Sequence, residues 1–426
     1  MEVKEEKPKG LLGPYTVLDL TEEKGFFLGK ILGDLGADVI KIERPQGDPS
    51  RRIGPFFRDK PSGERSLFWF AFNANKRGIT LNLQTRQGVE IFKDLVARAH
   101  IVIESGGPGY LDDLGLGYAV LSEINPRIIV TSISLFGQEG PYKDYKGNDL
   151  VAGALSGYWY LCGEPDRLPT RISHARLSYG FACEEAAIGT LCALYHQEFT
   201  GEGQHVDVSI QESMVLALWT AQQCWELNNW NPVRQGGFLK SPGSREIIKL
   251  VWKCKDGYVL FMPLGSTTGT RYMTELSKWI ESEGMGDESF GKIDWWSAFD
   301  VSQSTTEQQE LKQRALGYFA RFFEARTKQE LYQGAVKRNI QLYPVNTIAD
   351  LLENAQLESR EFWSEVYYPE LDGDIVHPGA FAKFTSAELK LERRAPLIGE
   401  HNEEIYIGRL NFTKAQLVAF KESGVI

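Results

Sequence analysis

Thr16-Val-Leu-Asp-Leu20, Phe26-Phe-Leu-Gly-Lys-Ile-Leu32 and Gly36-Ala-Asp-Val-Ile-Lys-Ile-Glu43 follow one another near the start of the chain. The first is a short apolar strand. In the second, over residues 25–35, Phe26, Phe27, Ile31 and Leu32 recur at helical spacing. Gly36 stands where a left-handed residue ends a helix. Residues 37–43 are again a strand. Strand, helix and strand make a βαβ unit, which predicts a parallel sheet.

The alternation continues outward. Gly78-Ile-Thr-Leu-Asn-Leu83, Ile101-Val-Ile-Glu104 and Arg127-Ile-Ile-Val-Thr-Ser-Ile133 read as strands, with an amphipathic helix over residues 87–99. Residues 175–200 read as one helix and Gln204-His-Val-Asp-Val-Ser-Ile210 as the next strand. The pattern is an α/β, Rossmann-like sheet with Gly-rich turns at strand ends, where such sheets bind ligands. Residues 228–244, rich in Gly, Asn and Pro, read as a long connection. Asp256-Gly257 between two apolar runs predicts a hairpin over residues 246–262. A helical stretch covers residues 305–338, and short helices and strands follow Pro344.

With 426 residues, the chain has room for a large and a smaller domain. A net charge of −10 argues against a basic nucleic-acid surface. The five Cys are scattered, with no Cys-x-x-Cys pair, which argues against a zinc site or a disulfide framework. The charged first residues hold no apolar signal region, and no run of about 18 apolar residues suggests a membrane span. A reducing, cytoplasmic setting is the expectation. The six His show no ligand spacing, so no metal is expected. Walker, His-Glu-x-x-His, Gly-x-Ser-x-Gly and dinucleotide Gly-x-Gly-x-x-Gly motifs do not occur.

An ordered series of short motifs spans nearly the whole chain. It runs Leu18-Asp-Leu-Thr21, Leu32-Gly-Asp-Leu-Gly-Ala-Asp-Val-Ile-Lys-Ile-Glu-Arg44, Asn73-Ala-Asn-Lys-Arg77, Pro108-Gly109 with Leu114-Gly115, Phe136-Gly-Gln-Glu-Gly-Pro141 and Pro396-Leu-Ile-Gly-Glu-His401. Gly189-Thr-Leu-Cys-Ala-Leu194 and Thr200-Gly-Glu-Gly-Gln204 belong to the same series. Taken together it resembles the family III CoA-transferases, the carnitine and formyl-CoA transferase-like group. The resemblance implies a large Rossmann-like domain built from both chain ends, over residues 1–225 and 341–426. It also implies a small central α+β domain with linkers over residues 226–340, and a dimer of interlocked rings. It implies a chemistry too. An aspartate attacks an acyl-CoA thioester to give a mixed anhydride, and the released CoA thiolate then gives an aspartyl-CoA thioester. The incoming acid reverses the sequence.

Against that pattern the chain departs twice. The family's aspartate lies ten residues before the Gly of the Gly-x-Leu-x-Ala-Leu segment. Here that Gly is Gly189, and ten residues back is Tyr179. A phenol, with a pKa near ~10, is a poor substitute nucleophile. Glu184 and Glu185 lie about 140° and 120° around the helix from it. Cys183 shares its face, as a small buried hydrophobe, and His174 is the nearest candidate base. The racemase branch of the family uses a Gly-His-Asp motif, which here is Gly147-Asn148-Asp149, and an Asp that falls on Ser178 or Tyr179. Both its acid and its base are missing.

The second departure is at the CoA site. Where the family has Asn, an aromatic residue and Arg, this chain has Ser105, Gly106 and Asp113. Arg44, Lys76 and Lys146 still match basic positions that the resemblance associates with CoA. Ser105, Gly106, Asp113, Arg44, Lys76 and Lys146 are therefore the residues of a vestigial CoA site, and no residue of this chain is assigned a catalytic role.

The expected function is that of a non-catalytic subunit of a heteromeric CoA-transferase. The substrate pair that the resemblance points to is succinyl-CoA and benzylsuccinate, in anaerobic aromatic degradation. A homologous family III chain would supply the Asp, in a hetero-oligomer of interlocked dimers. CoA thioester is then the substrate of the complex, and no further cofactor is implied. The Gly-rich loops with Gly236, Gly237 and Gly243 would reach toward the partner's site. The alternatives are a homodimeric CoA-ester isomerase or transferase using other residues, and a non-enzymatic regulatory homologue.

Overall fold

The computed structural model describes residues 10–172, 174, 176–240, 247–264, 266–287, 289–299 and 305–426. The chain divides into two compact units: Met1–Trp159, Ile172–Trp230 and Gln356–Ile426 form the larger, and Tyr160–Arg171 with Asn231–Ala355 the smaller.

Among the described residues of the larger unit, six strands form one parallel sheet. They are β1 (Thr16–Leu20), β2 (Asp38–Glu43), β3 (Lys76–Thr80), β4 (Ile101–Glu104), β5 (Ile129–Ser134) and β6 (His205–Ser209). Their order is β3-β2-β1-β4-β5-β6, so the strand order, though not the strand direction, reverses between β1 and β4, the crevice where doubly wound sheets bind ligands. The helices that matter here are α1 (Phe26–Asp34), α2 (Leu67–Asn73), α3 (Arg86–Val96), α4 (Tyr110–Asp113), α5 (Tyr118–Ile124), α6 (Asp149–Leu155), α7 (Leu177–Thr200) and α8 (Ile210–Leu216).

Both sheet faces are buried, and alternate residues of each strand serve each face. Leu18, Ile40, Val102 and Val130 pack with Ile91, Phe92 and Leu95 of α3 and with Ile405 and Tyr406 from the far end of the chain. Val17, Val39, Ile101 and Ile129 pack with Leu28 and Leu32 of α1 and with Ala182, Ala186 and Ala193 of α7. The small side chains of α7 let this long helix lie close to the sheet.

The third strand begins at Lys76, two residues before the apolar run that suggested it, and stops at Thr80. Its first two residues are charged yet buried, because each finds an ion-pair partner inside the unit.

In the smaller unit, Val251–Cys254 and Gly257–Phe261 form the expected Asp-Gly hairpin. Leu342–Val345 adds antiparallel to Gly257–Phe261. That strand keeps residues up to Ala355 in the smaller unit, so the chain returns to the larger one at Gln356. Trp252, Phe261, Phe319 and Phe323 form the aromatic centre of this core. The single helix expected over residues 305–338 is two helices, Thr306–Glu324 and Lys328–Arg338. Thr327 breaks it by starting a new helix: its hydroxyl oxygen accepts the Glu330 N–H, and the Glu330 carboxylate accepts the Thr327 N–H. Among the described residues, no helix is long and apolar enough to cross a membrane.

Candidate functional site

Tyr179 lies in the first turn of α7, only 4% exposed. Burial pushes its phenol above the ordinary value, and the nearby Asp149 charge adds to the shift, while the Asp149 main chain and Arg176 oppose it. The phenol is therefore un-ionised at neutral pH and is not an activated nucleophile. Next to it, Ser178 donates its N–H to Asp149 Oδ1 at 2.9 Å and its hydroxyl to the Asp149 carbonyl at 3.1 Å. These bonds staple the start of α7 to the start of α6. Asp149 Oδ2 is buried and has no hydrogen-bond partner among the described residues.

The Asn of Gly147-Asn148-Asp149 has a structural task. Asn148 is the N-cap of α6, and its side-chain oxygen accepts from Leu150 N–H at 3.1 Å and Val151 N–H at 3.3 Å. Cys183 is buried, with Sγ 3.3 Å from the Lys24 carbonyl, and burial pushes its thiol up to about 12. It is inert at neutral pH. Glu184 and His174 are exposed. Arg176 pairs with Glu23 and sits 4.7 Å over the Phe68 ring.

Below this turn lies a buried charge cluster. Asp19 Oδ1 accepts from the Thr21 N–H at 2.9 Å and the Thr21 hydroxyl at 2.6 Å. Lys76 Nζ donates to Asp19 Oδ2 at 2.9 Å, to the Phe26 carbonyl at 2.9 Å and to Asn73 Oδ1 at 3.0 Å. An ammonium has three donors, and all three are used internally. Lys76 is fully buried and has none left for a ligand. Lys41 is likewise buried, bonded to the Thr21 carbonyl.

A cleft of about 400 Å³ opens at the carboxyl ends of β1, β2 and β3. Leu20, Ile42 and Leu83 line it together with Glu22, Arg44 and Tyr110. Arg44 is half exposed and faces the Glu22 carboxylate at 3.6 Å. The other cation lining the cleft is Lys41, already bonded inside, and the anions are Glu22, Glu43 and Asp48. This set offers a polyphosphate little net attraction. Ser105 is buried and accepts the Glu22 N–H at 2.8 Å. Gly106 donates its N–H to Glu104 Oε2 at 2.6 Å. Tyr110 lies across Gly106, where an added Cβ would fall 2.2 Å from the ring. Asp113 and Lys146 are exposed and do not line the cleft.

The sequence-predicted residues thus separate. Arg44, Ser105 and Gly106 gather around Glu22 and Tyr110. Lys76 is internal, and Asp113 and Lys146 stand apart. Residues to which the sequence reading gave no role of their own are Asp149, Glu104 and Tyr110. Glu104 ends an apolar strand, a position where a charge is costly unless bonded, and that was the available signal. Ser132 bonds the Glu104 carboxyl, and Ser132 Oγ lies 3.0 Å from His205 Nε2.

In the smaller unit, Gly236 has φ +56, and a Cβ there would meet the Glu164 carboxylate at 2.4 Å. Gly237 donates its N–H to Glu164 Oε1 at 3.3 Å, so this turn is braced on one carboxylate. Gly243 lies outside the described residues, as do Ser241, Pro242 and Ser244.

The pattern of CoA-transferase family III matches residues 12–402. The chain is 37% identical over 399 residues to succinyl-CoA:(R)-benzylsuccinate CoA-transferase subunit BbsE of Thauera aromatica, covering 92% of this chain and 93% of that one. It is 30% identical over 439 residues to formyl-CoA:oxalate CoA-transferase of Streptomyces avermitilis, covering 96% and 98%. A CAIB/BAIF family protein from Brucella suis has a similar structure, with TM-score 0.79 and 29% identity over 94% of this chain and 100% of that one. The chain belongs to CoA-transferase family III.

Proposed function

We propose that this chain is the non-catalytic subunit of a heteromeric family III CoA-transferase that moves CoA from succinyl-CoA to benzylsuccinate in the cytoplasm. The observation that carries this reading is the buried, un-ionised phenol of Tyr179, the residue that the resemblance sets where the family has its aspartate. The similarity to a protein named as subunit BbsE supports the substrate pair. The partner is a homologous chain that keeps the Asp. Its carboxylate attacks the succinyl thioester carbonyl, giving the mixed anhydride and releasing CoA thiolate. The thiolate then attacks the aspartyl carbonyl of the anhydride and releases succinate. Benzylsuccinate carboxylate takes the reverse path out, leaving as its CoA thioester.

In this chain the cleft around Arg44, Ser105 and Gly106 is the vestige of a CoA site. The Gly236-Gly237 turn and Gly243 belong to the loops offered to the partner's active site, and the two chains interlock.

The test is CoA exchange between succinyl-CoA and benzylsuccinate. This chain alone is expected to be silent, and its complex with an Asp-bearing homologue active. Tyr179→Phe in the complex is expected to leave turnover unchanged. Loss of turnover on that substitution would sink the reading.

One observation favours a second reading, a self-sufficient enzyme: the unpartnered Asp149 Oδ2 beside Tyr179. Turnover by this chain alone that Asp149→Asn abolishes would establish it.

A further inference from the structure

The cleft at the carboxyl ends of β1, β2 and β3 has an apolar floor. Leu20, Ile42, Leu81 and Leu83 line it, all more than nine-tenths buried. Tyr110 borders it with its ring laid across Gly106. Burial keeps the Tyr110 phenol protonated, the Glu104 and Glu22 charges adding to that and Arg44 opposing it, so its hydroxyl is a donor at neutral pH.

The charged groups of the lining divide into occupied and open ones. Glu43 accepts two bonds from the Arg51 guanidinium, both at 2.7 Å, and the Asp48 N–H at 2.8 Å. Asp48 accepts the Ser50 N–H with one oxygen and faces Lys41 Nζ at 3.8 Å with the other. Lys41 is bonded to the Thr21 carbonyl. Arg44 and Glu22 remain. Their side chains are 55% and 48% exposed and approach each other only to 3.6 Å, beyond hydrogen-bond reach. Among the described residues the Arg44 guanidinium donates no hydrogen bond, so its planar fork is open.

One open guanidinium beside an apolar floor selects its ligand. A carboxylate matches the fork bidentately and carries a single charge. A polyphosphate calls for several open cations, and this lining has one. The aliphatic floor and the Tyr110 ring favour an apolar body, aryl or alkyl. A volume of about 400 Å³ holds roughly a dozen water-sized groups at ~30 Å³ each, far less than a CoA thioester needs.

We infer that this cleft binds a small free carboxylic acid, its carboxylate on Arg44 and its apolar body on the floor of Leu20, Ile42, Leu81 and Leu83. Glu22 is the competitor built into the site. A ligand carboxylate arriving at Arg44 meets the Glu22 carboxylate as a like charge. Removing that charge therefore tightens binding, the opposite of what removing a contact does. The ligand enters free and not as a thioester, so the cleft is a regulatory site that senses an acid and takes no part in CoA exchange. The inference goes beyond the function proposed above and does not depend on it.

The experiment titrates the full chain with phenylacetate, with its neutral amide phenylacetamide and with CoA, by calorimetry at neutral pH. The acid is expected to bind, and the amide to bind about tenfold more weakly or worse, since the amide lacks the charge-assisted bidentate pair. Arg44→Gln should weaken acid binding by a similar factor. Arg44→Lys should weaken it less, because the charge stays and the fork is lost. Glu22→Gln should tighten it about threefold or more. Excess CoA should leave the affinity for the acid unchanged. Both substituted side chains are half exposed, so the variants should keep the wild-type Tm.

No binding of the acid, equal binding of acid and amide, or wild-type affinity in Arg44→Gln overturns the inference. Weaker binding in Glu22→Gln overturns it too. Displacement of the acid by CoA overturns it in favour of a cleft that still takes the nucleotide. Each of these results leaves the proposed function standing, because that reading is tested by turnover of the complex.

Discussion

Lys76 Nζ and Asp19 Oδ2 lie 2.9 Å apart with both residues fully buried, joining the third strand of the sheet to the first. Burial alone would raise the Asp19 carboxyl. The Lys76 and Lys41 ammonium groups outweigh it and hold the carboxyl below its ordinary value. Removing one partner leaves the other charge buried and unpaired. Lys76→Ala is therefore expected to cost about 3–5 kcal/mol in urea unfolding. The pH dependence has a definite sign. A depressed carboxylate contributes stability that is present above its unfolded value near ~3.9 and is lost as pH falls through the lower folded value. That acid limb should be prominent in wild type and absent in Asp19→Asn.

Gly106 is a glycine for space, not for backbone conformation, since it is not among the positive-φ residues. Gly106→Ala drives its Cβ into the Tyr110 ring and is expected to cost ~1–3 kcal/mol. In a Tyr110→Ala background the same change should cost much less. A double-mutant cycle by chemical denaturation measures the coupling, and additivity of the two changes would refute the packing account.

Burial pushes the Glu104 carboxyl up, against the Ser132 hydroxyl and the Gly106 N–H, which lower it. A raised carboxyl contributes stability that is present below the unfolded value near ~4.3 and lost as pH rises through the folded value. Glu104→Gln keeps the neutral form at every pH. Its Tm should match wild type near pH 4 and exceed it by ~2 °C or more at pH 8. An equal difference at both pH values would rule out titration of this group.

The Cys183 thiol, pushed up to about 12, is matched by burial on the inner face of α7, whereas Cys192 is exposed. At pH 8 the Cys183 thiolate fraction is roughly one in ten thousand. Iodoacetamide should modify Cys192 in the folded chain and reach Cys183 only on unfolding. Early labelling of Cys183 would show that the start of α7 opens.

Much of the architecture was legible in residue patterns. Alternation and helical spacing placed β1, α1, β2, β4 and β5, because strand and helix periods are local. Charged segments misled it. The apolar run points to a strand that starts at Gly78, yet Lys76 and Arg77 begin it, because Asp19 and Asp38 wait for them across the sheet. Short helices such as α2 and α6 went unnoticed, since their amphipathic pattern is too brief and their caps, Ser66 and Asn148, look like any loop residue.

The sequence by itself determined the family, the parallel sheet and the identity of Tyr179 ten residues before Gly189, all of which depend only on which residues follow one another. Only the tertiary structure decided that Lys76 is internal, that Tyr110 covers Gly106, and that Asp149 is stapled to Ser178, 29 positions along the chain. Those are outcomes of long-range packing, in which a buried polar group takes whatever partner the fold brings within hydrogen-bond reach. No local pattern carries that information.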